Sequence, residues 1–137
     1  MPPNSVEEAI ELALRDGFGA ALQIDSLNSA AHVGKAETHL LAARCALSLR
    51  SNDVAQAHLV TSLKSFKQAL SQPCKLGSFS DRCAVRHNYA CALTLSGRSD
   101  EAAAILRTLL TTGGGTLDEM KSDEDLAILW RTSGFTL

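Results

Sequence analysis

The chain is 137 residues long, 45% apolar but only 4% aromatic, with a formal net charge of -2. That length holds one domain with one core rather than two independent ones. The charge leaves no basic excess to neutralise phosphates, so a nucleic-acid role is set aside.

Alanine and leucine supply most of the apolar residues. Both favour helices, and alanine also lets helix axes approach closely, whereas the β-branched and aromatic residues that strands prefer are scarce. An all-α fold is expected. No stretch reaches the ~18 consecutive apolar residues of a membrane span, so no membrane insertion is expected. The opening residues carry neither a basic nor a hydrophobic leader region. With Cys45, Cys74, Cys83 and Cys91 set in helix-like sequence rather than in a disulfide frame, the chain is expected to be cytoplasmic.

The first element is expected at Ser5, with Glu8 completing a capping box and Asp16-Gly17 as a stop. A second short helix from Phe18 to Ile24 follows, giving N-terminal helices within residues 5–28. From Ser29 to Arg50, apolar residues recur at Val33, Ala36, Leu40, Leu41, Ala43 and Leu47, the signature of one helix face. Ser51-Asn52-Asp53 makes a turn. The next helix, Asp53 to Ser71, carries Leu59, Val60, Leu63, Phe66 and Leu70 as a stripe. So short a turn forces the two helices antiparallel, making residues 29–71 a first hairpin.

Gln72 to Phe79 reads as a loop, and Ser80 or Asp81 as the cap of a helix running to about Ser96. Gly97-Arg98-Ser99-Asp100 turns the chain into a helix over Asp100–Leu110, so residues 80–110 form a second hairpin. Gly113-Gly114-Gly115 reads as a flexible connector. It lacks both the Lys-Ser/Thr and the preceding strand of a phosphate loop. A final helix over about 122–132 is expected to cap the array with Leu126, Leu129 and Trp130.

Two sets of residues invite a chemical reading. Cys83, His87 and Cys91 fall at helical spacing, with Cys74 in the preceding loop, and thiolate and imidazole are good zinc ligands. The two end cysteines, however, stand about 12 Å apart along a helix axis. Small half-buried cysteines beside a histidine therefore explain the set better, and no metal or other cofactor is expected. His32, His39 and His58 read as ordinary surface or boundary histidines. The acidic groups Glu7-Glu8-Glu11, Asp118-Glu119 and Asp123-Glu124-Asp125 sit at helix starts, where the helix dipole accounts for them. No nucleophile elbow, dinucleotide fingerprint or paired-metal motif is found. The chain is not expected to be an enzyme.

The run from Asn88 to Ala102, NYACALTLSGRSDEA, resembles the centre of a tetratricopeptide repeat (TPR). Ala90, Gly97 and Ala102 match the small residue, the turn and the following alanine of that family, and Leu93 and Leu106 stand where it often has aromatics. In the first hairpin the corresponding residues are Cys45, Asn52 and Ala57, further from Ala102 than the usual repeat of about 34 residues allows. The resemblance implies antiparallel hairpins stacked as a short TPR-like right-handed superhelix with a C-terminal capping helix, forming one domain over 1–137. It also implies partner binding in a concave groove lined by the first helix of each hairpin. In this sequence the second hairpin would present Ala84, His87, Cys91, Thr94 and Leu95. The family subclass that clamps charged chaperone tails uses lysine, asparagine and arginine at groove positions held here by His87, Cys91, Ala42 and Ala46. The expected partner is therefore an apolar or helical segment of another protein. The other reading is a structural assembly subunit that self-associates, a homodimer being one form, or packs within a larger complex.

Overall fold

A computed structural model describes Gly17, residues 28–132 and residues 135–137 of the chain. Apart from Gly17 and Asn28, the expected N-terminal helices of residues 5–28 lie outside the described residues. Every regular element among the described residues is a helix, with no strand. They divide between two compact units, 1–76 and 77–137, so that each hairpin belongs to its own unit.

The first unit holds α1 (Ser29–Ser48) and α2 (Asn52–Leu70), followed by a 3-10 turn at Pro73–Lys75. Asn28 opens α1, its side-chain oxygen accepting the Ala31 amide at 2.9 Å. The core of this hairpin is built from small residues on α1 and larger ones on α2. Ala36, Leu40 and Ala43 on α1 and Ala55, Leu59, Phe66 and Ala69 on α2 are all at most 1% exposed. Alanine at the contact allows the close approach, and it lets the Ser62 hydroxyl donate across to the Ala36 carbonyl at 2.8 Å. A hydroxyl buried this way is satisfied rather than stranded. Two residues assigned to the buried stripes point outward instead, Leu41 at 48% and Val60 at 67% exposure.

The second unit holds α3 (Phe79–Leu95) and α4 (Ser99–Thr112), then α5 (Leu117–Ser122), a 3-10 turn (Glu124–Leu126) and α6 (Ala127–Arg131). Ser78, not Ser80 or Asp81, caps α3. Its hydroxyl accepts the Asp81 amide at 3.2 Å while the Asp81 carboxylate accepts the Ser78 amide at 2.9 Å, a complete capping box. These bonds to Ser78 hold the Asp81 carboxyl below its ordinary pKa. The helix expected over 122–132 is a 3-10 turn followed by α6, and α5, which was not expected, precedes it; the two are separated at Asp123, which is extended and accepts the Asp125 amide at 2.9 Å. The 3-10 turn lies against α3, and Met120, Leu126 and Leu129 are completely buried. The Trp130 indole donates to the Met120 carbonyl at 3.3 Å and meets Phe135 edge-on at 5.6 Å.

The two hairpin turns share one design. Gly97 adopts a left-handed conformation (φ 80°), with its amide on the Thr94 carbonyl at 3.0 Å and the Arg98 amide on Leu93 at 2.8 Å. This is the Schellman closure, which satisfies the last carbonyls of a helix. In the first hairpin the same two bonds run from Arg50 to Leu47 at 3.0 Å and from Ser51 to Ala46 at 2.8 Å, with Arg50 at φ 59°. The turn residue there is thus Arg50 rather than Asn52. The buried alanine after it is Ala55, at 0% exposure, while Ala57 is exposed. The small residue on the preceding helix is Ala43, matching Ala90, and not Cys45.

An arginine in the left-handed region bears a steric cost of roughly 1–2 kcal/mol that glycine does not. Glycine gives part of this back through its greater freedom in the unfolded chain. Arg50→Gly is therefore expected to stabilise the first hairpin by about 0.5–1 kcal/mol, raising the midpoint of urea unfolding with an unchanged slope. A lowered midpoint would mean that the Arg50 side chain contributes more than its backbone costs.

Candidate functional site

The second unit brings together the residues with the most chemistry. His87 and Cys91 lie one helical turn apart on α3, so their side chains leave the same face. Asp123 reaches that face from the bend between α5 and the 3-10 turn. Its two carboxylate oxygens have separate tasks. Oδ1 accepts the Asp125 amide and fixes the bend, while Oδ2 accepts His87 Nε2–H at 2.7 Å and the Cys91 thiol at 3.4 Å. Nitrogen, sulfur and oxygen donors here all lie within 4.8 Å of one another.

Burial pushes the Asp123 carboxyl up, but the hydrogen bonds from His87, the Asp125 amide and Cys91 outweigh it and hold the group below its ordinary pKa. The carboxylate is thus charged, half-buried and supplied with donors. Cys91 is fully buried, whereas the His87 and Asp123 side chains keep 24% and 26% of their surface exposed. This is not a nucleophile–base–acid relay. In such a relay the imidazole stands between thiol and carboxylate, whereas here both donors converge on a single carboxylate oxygen.

Beside this cluster runs a cleft of about 330 Å³, with Cys83, Ala84, His87, Gly114, Glu119 and Met120 on its walls. Of the five residues expected to face a groove, Ala84 and His87 line this cleft. Cys91 and Thr94 are buried, Cys91 against Asp123 and Thr94 with its hydroxyl on the Ala90 carbonyl at 2.8 Å, and Leu95 is half-buried. Cys83 lies on the cleft wall, outside the His87–Cys91–Asp123 group. Cys74 belongs to the other unit. Sequence reading found two members of the cluster and missed the third. Asp123 is remote along the chain, and its acidic neighbours gave it a ready explanation as a helix-start charge.

The first unit has a smaller polar pairing. His39 and His58 face each other across the α1–α2 hairpin, Nδ1 to Nδ1 at 2.9 Å, with ring centroids 5.1 Å apart. Such a bond needs Nδ1–H on one ring and a lone pair on the other. A separate cleft is lined by His32 and Lys35 from α1 and by Val60, Lys64 and Gln68 from α2. Among the described residues no helix is long and apolar enough to cross a membrane.

Searches against protein-family models, curated proteins and solved structures find no match to this chain.

Proposed function

We propose that the chain is a helical-hairpin interaction module that holds a segment of another protein. The observation that carries this reading is the cleft of the second unit, where a small exposed residue, Ala84, opens a wall to contact beside the polar edge of His87. The cleft's lining is mixed, with Cys83, Ala84 and Met120 beside Ser80, His87, Asn88 and Glu119, so a bound segment would be held by hydrogen bonds as well as by apolar contact. The proposal includes the finer arrangement, a short TPR-like superhelix whose groove receives the segment. The turn common to both hairpins supports it, since stacked repeats reuse one local geometry.

Ala84 is the residue to alter, because a large charged side chain there fills the cleft without touching the core. Partners captured from cells by the full chain are compared with those captured by Ala84→Arg, with helicity checked by circular dichroism. A partner bound by the natural chain and lost on the variant is the expected result. A partner set indifferent to Ala84→Arg would remove the cleft from the proposal.

The second reading, an assembly subunit that pairs with itself, is favoured by the apolar residues left in solvent on the first unit, Leu41, Val54 and Val60, at 48%, 47% and 67% exposure. Light scattering separates the two. A stable homo-oligomer that dissociates on Val60→Lys supports self-assembly, and a monomer supports the module.

A further inference from the structure

We propose that His87, Cys91 and Asp123 form a binding site for zinc or a zinc-like divalent transition metal. The inference does not depend on what the cleft binds. Its basis is the donor set and its placement: one imidazole nitrogen, one sulfur and one carboxylate oxygen, all within 4.8 Å of one another. Tetrahedral zinc takes these three atom types at about 2.0–2.3 Å, which puts its ligand atoms roughly 3.3–3.8 Å apart. The Cys91–Asp123 separation of 3.4 Å already falls in that range, the His87–Asp123 separation of 2.7 Å has to open, and the His87–Cys91 pair lies within 4.8 Å, so the imidazole has to turn as the ion enters. Sulfur and imidazole together select zinc, cobalt or copper over magnesium and calcium, which favour all-oxygen sites.

Three features show a site built for more than a hydrogen bond. His87 and Cys91 at i and i+4 are fixed on one face of α3, so two ligands come from one rigid element. Asp123 is held from behind by the Asp125 amide on Oδ1, which leaves Oδ2 aimed at the other two donors, the kind of support that orients metal-ligating carboxylates. The exposed edge of His87 borders the cleft, which gives the ion a way in and leaves the fourth coordination position to water or to a donor from a bound partner. Cys83 and Cys74, which the sequence grouped with these residues, are not part of the set.

The ion binds in exchange for a proton. The Cys91 thiol releases its proton to solvent, and the resulting thiolate binds. His87 changes tautomer through solvent, losing the Nε2 proton and taking one up at Nδ1, so that the ring stays neutral, releases no net proton and ligates through the Nε2 lone pair. Asp123 contributes its existing charge. The divalent ion then replaces the two hydrogen bonds that join these groups, and tightens the hold of the 3-10 turn on α3.

Cobalt(II) is the probe, because a thiolate ligand gives it a near-ultraviolet charge-transfer band that oxygen and nitrogen ligands do not. The full chain, purified without chelator and titrated with Co²⁺ and then Zn²⁺, is expected to bind one equivalent of either, with zinc bleaching the cobalt band and raising the melting temperature. Cys91→Ser is expected to lose the band. Cys83→Ser should keep it. Asp123→Asn should keep the band but weaken Co²⁺ binding by at least about 10-fold, as loss of a ligand costs no less than loss of its support. Circular dichroism without metal establishes that each variant is folded. If Cys91→Ser does not fold, His87→Gln takes its place and is expected to weaken Co²⁺ binding by at least about 10-fold. The absence of stoichiometric binding overturns the site. So does a band that survives Cys91→Ser, or one lost equally with Cys83→Ser.

Discussion

Phe66→Ala is expected to destabilise the first hairpin by about 3–5 kcal/mol, the range for truncating a buried aromatic side chain. Among the described residues Phe66 is one of the largest side chains to be completely buried, and α1, the other helix of its hairpin, buries mainly alanines, Ala31, Ala36, Ala42, Ala43 and Ala46. Alanines that bring two helices close leave little side-chain volume with which to fill a void. The cavity left by the ring therefore persists, and its cost adds to the lost transfer energy. Val60 provides the internal control. Sequence periodicity put both residues on one stripe, yet Val60 is 67% exposed, and Val60→Ala is expected to change stability by no more than about 0.5 kcal/mol. Urea unfolding followed by circular dichroism, with hydrogen exchange read on α1 and α2, measures both variants. Similar costs for the two would mean that α2 packs through a different face.

The contrast between Phe66 and Val60 shows what sequence periodicity conveys and what it does not. That these segments are helices follows from composition, spacing and the absence of breakers. Which residues of a helix face inward depends on where the partner helix crosses, and alanine blurs that, because it is at home on either side. α1 buries Ala31, Ala36, Leu40, Ala42, Ala43 and Ala46 while leaving Leu41 exposed. The small residues mark its contact face, and hydrophobicity alone assigned Leu41 wrongly.

Turns were legible where the residue type matched the backbone demand. Gly97 announces a left-handed position, and the second hairpin follows from it. Arg50 occupies the same position in the first hairpin with a side chain that gives no such signal, whereas Asn52 is a common turn residue, and a register set on Asn52 points to Ala57 in place of the buried Ala55. The cap of α3 is a similar case. Ser78, Ser80 and Asp81 all have suitable side chains, and only the reciprocal bonds between Ser78 and Asp81 decide among them.

The candidate site was half legible for a related reason. Helical spacing places His87 and Cys91 on one face, but it also suggests Cys83, and no local rule links them to a residue beyond the end of their own hairpin. Asp123 is found only when the chain between α4 and α6 is folded, since its carboxylate both stops α5 from continuing and supplies the third donor atom. A residue doing local and long-range work at once is explained too early by its local role.

Gly114→Ala is the other substitution of large expected effect, and its sign separates two views of the triple glycine. If Gly113-Gly114-Gly115 were a flexible connector, replacing a glycine would restrict the unfolded chain and stabilise the fold by about 0.4–1 kcal/mol. In the structure it is a packed turn. Gly113 is left-handed at φ 76°, its amide meets the Leu110 carbonyl at 3.4 Å, and the Gly114 amide meets Leu109 at 2.8 Å. A β-carbon on Gly114 would run into the Cys83 sulfur, and it would also find Leu109 Cδ2 at 3.1 Å and Cys83 Cβ at 3.3 Å. Gly114 itself is not left-handed, so space rather than backbone strain is the obstacle. Cys83 is 5% exposed and has little room to yield. The expected cost is about 3 kcal/mol, the upper part of the usual range for overpacking. Because the clash has a named partner, it has a named remedy. Cys83→Ala removes the sulfur, so the double variant Cys83→Ala with Gly114→Ala is expected to be more stable than the sum of the single effects by about 1–2 kcal/mol. Chemical unfolding of the four proteins closes the cycle. Strict additivity would mean that Cys83 is not what Gly114 makes room for, and a stabilising Gly114→Ala would restore the flexible connector. Gly114 and Cys83 both line the cleft, so the same cycle reports how firmly that part of its wall is fixed.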